Sequence, residues 1–282
     1  MIDGTLLPSW FRILLLGLSI YSYIPQLQLL WKTKNSSGLS LCYLLFSLIC
    51  ATEQFLLAFI CINNPDPNVF VENRGSLRDW LNFIQITVVW LLSGLTFTLT
   101  LAYPSNSSFR QKLYAALWYI IFLLLAVLPA VCIAVTTDMT KEDSSFEDEV
   151  LFVMMSSVHV IFVNPVTTIL AFSALFCQTP KLRKGVSPPR VLSLRGLALQ
   201  TGVFSVLALT WPFRIIYLGP EWDILSSWFA LFNWYMLVGW VAVDSAVFAL
   251  VQGILLWLAC RNRKHWHLAE DGETEPLLAN GR

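Results

Sequence analysis

The chain has 282 residues and no formal net charge at pH 7; 56% of it is hydrophobic, 13% is charged, and twelve residues are tryptophan. Soluble domains carry about 25% charged residues, and a mean hydropathy of +0.65 excludes an ordinary water-soluble domain. Without a basic excess there is also no reason to expect a nucleic-acid partner.

Seven stretches have the length and apolarity of a membrane span, about 20 residues each: 10–31, 39–62, 80–102, 113–135, 151–177, 194–216 and 233–258. They predict an all-α polytopic membrane protein. The first span contains Pro25 followed at once by Gln26. Proline cannot donate to the carbonyl of Tyr21, and its ring pushes that carbonyl away, which leaves an acceptor for neighbouring helices or cavity water. Gln26 brings a donor and an acceptor to the same place. A static kink and a moving hinge are both open readings.

Further along, Glu53 in the second span, His159 in the fifth and Asp244 in the seventh lie at depths of roughly 12–17 Å, counted at 1.5 Å per residue. An acid at such depth costs about 2.5–3.5 kcal/mol on translocon scales, so these three are candidates for a proton site or for polar fastening between helices. Asn164 precedes Pro165, which frees the carbonyl of Ile161; an amide and an open carbonyl then sit together near the midplane. Gln200 and Asn233 add polar groups that can face the same cavity. Trp211-Pro212 marks either a gate or an interfacial anchor. Arg214, at the end of the sixth span, is long enough to snorkel to the surface.

Charge orients the chain. The loops 32–38, 103–112 and 178–195 and the tail from Arg261 hold thirteen of the eighteen Lys and Arg residues. The opposite ends hold five, against twelve acids. The positive-inside rule places the basic side in the cytosol and the N-terminus in a lumen. Asn35 and Asn106 open glycosylation sequons in loops assigned to the cytosol, so a glycan on either would invert the topology. The six cysteines read as apolar packing residues, with one Cys61–Cys132 disulfide left open.

A shift of 153 residues lays Leu39-Ser40-Leu41 on Leu192-Ser193-Leu194 and the third span on 233–255. Two parallel three-helix repeats need an odd helix to bring the chain back across, and the fourth span (113–135) fits. The plan is 3+1+3: residues 1–102 as first repeat, 103–150 as linker helix with an acidic loop, 151–258 as a degenerate second repeat, and 259–282 as a disordered tail.

Pro25-Gln26 ending a first helix, a short basic loop with Lys32 and Lys34, and Ser37-Gly38-Leu39-Ser40 opening a second resemble the PQ-loop repeat family. That family includes cystinosin-like and cationic amino-acid exporters of lysosomes and vacuoles, and sugar-transporting SWEET proteins and KDEL receptors share its architecture. The resemblance implies alternating access hinged at Pro25, Gln26 and Pro165, and proton coupling at the acid in Asp244-x-x-x-Phe248-x-x-x-Gln252. The second copy departs from the pattern, with Gln178-Thr179-Pro180 where a Pro-Gln pair should stand. Where proton-coupled relatives carry an aspartate, this chain has Gln200. Glu273, Leu277 and Leu278 resemble an acidic dileucine sorting signal read by an adaptor.

The expectation is a transporter that exports a small polar solute, an amino acid favoured, from a lysosome or vacuole together with protons. It needs no cofactor and no metal, and no arrangement of residues suggests an enzyme. A SWEET-type sugar facilitator and a non-transporting receptor or scaffold are the rivals. Monomer and homodimer are both open.

Overall fold

The computed structural model describes residues 7–63, 76–136, 146–183, 192–214, 231–232, 234–235 and 239–274. Seven helices long and apolar enough to cross a membrane follow one another. They are α1 (Ser9–Thr33), α2 (Leu41–Asn63), α3 (Leu77–Ala102), α4 (Phe109–Thr136), α5 (Phe146–Val158 and Asn164–Arg183 joined by a wide turn), α6 (Leu194–Thr210, closed by a 3-10 turn Trp211–Arg214) and α7 (Trp240–Thr274).

Helix ends carry their own stop signals. Ser108 and Gln111 form a reciprocal capping box at the start of α4, and the Ser76 and Ser193 hydroxyls accept backbone N–H groups at the starts of α3 and α6. Such side chains satisfy N–H groups that the helix leaves orphaned. The Lys112 ammonium donates to the carbonyls of Leu101 and Tyr103, where the last turn of α3 has lost its own donors. Ser36 is fully buried in the α1–α2 loop, with its N–H on Pro104 O (2.8 Å) and its hydroxyl 3.1 Å from Thr100 O.

Two helices change their winding just before a proline. In α4 the residues Leu123–Val127 form a π turn, the Leu128 N–H bonds Leu123 O, and Pro129 follows. In α5 the residues His159–Val163 do the same, the Asn164 N–H bonds His159 O, and Pro165 follows. The extra residue in the turn moves the backbone away from the proline ring, so both helices pass a proline with little loss of hydrogen bonding. By contrast, α1 stays α-helical through Pro25.

The helices pack as a ring. α3 lies against both α1 and α2, α7 lies against both α5 and α6, and the two groups of three meet through α1 with α6 and α2 with α5. The first repeat shifted by 153 residues falls on the second, so the ring has a pseudo-two-fold axis between its halves, as the parallel 3+1+3 plan requires. α4 packs on the outside of α2, held there by Thr52, whose hydroxyl lies 3.1 Å from Tyr119 Oη and accepts from Trp90 Nε1 at 3.1 Å. Inside lipid there is little hydrophobic drive between helices, so such polar nodes and close ring contacts carry the assembly. Phe55 stacks on Trp90 at 4.4 Å between α2 and α3.

Some readings meet the structure differently. α7 runs Trp240–Thr274 and so continues as helix through residues 259–274, which read as a disordered tail. Hydropathy marks where a chain leaves lipid, and the Ala, Arg, Lys, Leu and Glu residues that follow are good helix formers. Arg214 is 2% exposed and does not snorkel. Trp211 is equally buried beneath it, and so is no interfacial anchor. All six cysteines are free, which leaves Cys61 and Cys132 unbridged. Ser36→Ala is expected to lower stability by about 1–2 kcal/mol, since a buried backbone acceptor loses its donor; thermal unfolding of the purified protein in detergent checks it.

Candidate functional site

The site is built where the two halves meet. At the end of the ring that carries the basic loops, each half caps a helix of the other. The Ser193 N–H, at the start of α6, donates to Gln26 Oε1 of α1 (2.9 Å). The Ser40 N–H, at the start of α2, donates to Gln178 Oε1 of α5 (2.7 Å), and Gln178 Nε2 donates to Gly38 O (2.7 Å). Gln178 is therefore the partner of Gln26 across the pseudo-two-fold axis, although the proline beside it has moved. Gly38 carries φ 111°, a left-handed conformation in which its carbonyl meets Gln178 and which disfavours any side chain.

Behind these bonds lies a narrow cavity of about 40 Å³, lined by Tyr23, Gln26, Tyr43, Ser47, Thr96 and Gln200 among apolar neighbours. With the glutamine bonds in place it holds about three water molecules, and a larger solute would need those bonds to part. All its polar groups are neutral at pH 7. The Tyr43 hydroxyl bonds the Gln252 amide of α7, with 2.7 Å to Nε2 and 3.0 Å to Oε1, tying α2 to the opposite half.

A second polar group occupies the middle of the bundle, between α2, α5 and α7. Glu53 is fully buried and its Oε1 lies 2.9 Å from His159 Nδ1. His159 sits on the π turn of α5, so the widened winding is what presents its ring to α2. One turn further, Asn164 Nδ2 donates to the Tyr235 hydroxyl (2.9 Å), while Asn164 O accepts from the Thr167 hydroxyl at 2.9 Å and lies equally close to that of Thr168. The Thr168 hydroxyl also makes a very short hydrogen bond to Asp244 Oδ1. A hydroxyl has one proton, so it donates to Asn164 O or to Asp244, and the charge on Asp244 decides which. Glu53 Oε2 and Asn164 Oδ1 are buried without a partner.

Glu53, His159, Asn164 and Asp244 thus come together as one polar layer, and Pro165 flanks it. Gln26 and Gln200 share the neutral cavity instead, so Asn164 and Gln200 do not line one pocket. Asn233, Leu277 and Leu278 lie outside the described residues; Glu273 falls in the last turn of α7. Sequence reasoning missed Gln178, Thr168 and Tyr235 as site residues. The signal for Gln178 was present: it stands fifteen residues before Ser193, and Gln26 stands fourteen before Ser40.

Fold and site define a class, the helical membrane proteins built as two three-helix repeats around a buried polar layer. Residues 7–69, which span α1 and α2, match the family model of the PQ loop repeat. No curated protein and no solved structure matches the chain.

If the two glutamines hold the basic end closed, Gln26→Leu and Gln178→Leu should each raise labelling of a Ser47→Cys reporter by a membrane-impermeant maleimide. The expected gain is about tenfold, one lost neutral hydrogen bond with its desolvation cost. The assay is run with the native cysteines replaced, and the double variant should label fastest.

Proposed function

We propose that this protein carries a small polar solute across the membrane by alternating access, with an amino acid as the favoured substrate and proton movement through Asp244. The observation that carries this reading is the Asp244–Thr168–Asn164 chain. A buried acid is joined by one hydroxyl to the Asn164 carbonyl, beside the proline break of α5. An acid within a span that faces other helices is a functional position by default. Protonation changes what Thr168 bonds, and so changes how α5 is held against α7. Glu53 and His159, one hydrogen bond apart in the same layer, supply a second place for a proton.

The gating role goes to the paired glutamines. Two neutral amide caps join the halves at one end, and a neutral hydrogen bond is worth about 1 kcal/mol net. Such a closure can open and close without strong cost. Pro25, beside Gln26, is the point at which α1 lacks a backbone donor and can flex. The distribution of basic loops supports a cytosolic face for this end, and Glu273, Leu277 and Leu278 support sorting to a lysosomal or vacuolar membrane through a cytosolic adaptor. Export from that lumen, of the kind a cystinosin-like protein performs, follows from both.

A second reading rests on the cavity itself. Its polar lining of Tyr, Ser, Thr and Gln carries no charge, which favours an uncharged solute such as a sugar and a facilitator that uses no protons.

Replacing Leu277 and Leu278 with alanine should bring the protein to the cell surface, where currents can be recorded at acidic external pH. An amino-acid-evoked inward current that is absent in Asp244→Asn, and at least about tenfold smaller in Thr168→Val, bears out proton-coupled transport. Electroneutral, pH-independent uptake of labelled sugar that survives Asp244→Asn selects the facilitator. No flux of either kind, with protein verified at the surface, overturns transport.

A further inference from the structure

The end of the bundle opposite the glutamine caps holds two buried guanidinium groups. Arg12 lies in the first turns of α1 and Arg214 closes the 3-10 turn after α6; each is 2% exposed. Arg12 Nη1 donates to Asn82 Oδ1 (3.1 Å) and Nη2 donates to Arg214 O (3.2 Å). Arg214 Nη1 donates to Gln85 Oε1 (2.6 Å) and lies 3.4 Å from the same Asn82 Oδ1. Two cations therefore crowd one amide oxygen. The Arg214 guanidinium also stacks over the Trp211 ring at 4.8 Å. Among the described residues every group that meets Arg214 is neutral or cationic.

That is an incomplete set of partners. A buried cation needs a counter-charge or a full set of acceptors. The Nε and Nη2 atoms of Arg214 and the Nδ2 of Asn82 are buried with no acceptor. Nε and Nη2 form one edge of the guanidinium, the fork that receives both oxygens of a carboxylate in parallel. Nη1, on the other side, is already occupied by Gln85.

We propose that the Nε–Nη2 edge of Arg214, with Asn82 Nδ2 beside it, is a binding site for one small monovalent anion, either a solute carboxylate or a halide ion. It would sit between α3 and α6 and supply the acceptors that this edge of Arg214 lacks. The site is at the far end of the bundle from the glutamine caps and does not depend on Asp244 carrying a proton.

The test uses the purified full-length protein in detergent, with thermal unfolding followed at fixed pH and ionic strength. Sodium methanesulfonate is replaced stepwise by acetate or by chloride, up to about 100 mM, enough to saturate a millimolar site. The expected result is a saturable rise in Tm of at least about 3 °C. A response to acetate alone identifies a carboxylate site; a response to chloride identifies a halide site. Arg214→Gln should weaken the apparent affinity at least about tenfold, the loss of a charged hydrogen bond. Arg214→Lys, which keeps the charge but not the fork, should lose acetate before chloride. Should the variants fail to fold, retention of labelled acetate or chloride by the wild-type protein, at about one per chain, carries the same decision. A wild-type Tm indifferent to all three anions, or a rise that persists in Arg214→Gln, overturns the proposal.

Discussion

A backbone N–H or C=O inside lipid has no water to turn to, and most of what is distinctive in this fold follows from that. Within a helix the ladder satisfies itself. Each place where the ladder stops therefore needs a partner from elsewhere in the chain. The start of α2 takes Gln178 from the other half, and the start of α6 takes Gln26 in return. The end of α3 takes Ser36 and Lys112. Because the missing partners are supplied across the pseudo-two-fold axis, satisfying the helix ends and assembling the two halves are one event.

The same constraint explains why prolines are handled in two ways. α4 and α5 absorb Pro129 and Pro165 by widening a turn, at the price of a bulge. In α5 that bulge turns His159 toward Glu53 and leaves Asn164 with side chains on its carbonyl. The irregular winding thus places the polar layer as well as relieving the clash. α1 makes no such adjustment at Pro25, so its missing hydrogen bond stays a local weakness next to the residue that caps α6.

Three layers of different chemistry lie along the axis. Neutral amides close one end, where bonds of about 1 kcal/mol can be exchanged readily. Acids and a histidine occupy the middle, hydrogen-bonded to one another and to Thr168. Arginines occupy the far end, where Arg12 and Arg214 are buried and hydrogen-bonded to the Asn82 and Gln85 amides.

Seven spans, the 153-residue repeat and the odd fourth helix were all legible, because lipid imposes length and apolarity directly on composition. Pro25-Gln26 was legible for a similar reason: proline and an amide are conspicuous in an apolar run. Gln178 was harder to see, since attention to a Pro-Gln pair hides a glutamine whose distance from Ser193 is what matters. Arg214 was misread, because a long cation near a span end can reach the surface or the interior, and only the position of α3 decides which. Glu53, His159 and Asp244 could be assigned a common depth but not a bonding pattern. Depth along a helix is a local property, fixed at 1.5 Å per residue. The sequence by itself therefore determined how many times the chain crosses the membrane, where each polar residue lies along the crossing, and that the crossings come in two matching sets. Which residues touch was decided only by tertiary structure, because the rotation of each helix about its axis is set by its neighbours, and that rotation turned Gln178 to α2, Thr168 to Asp244 and Arg214 to Asn82.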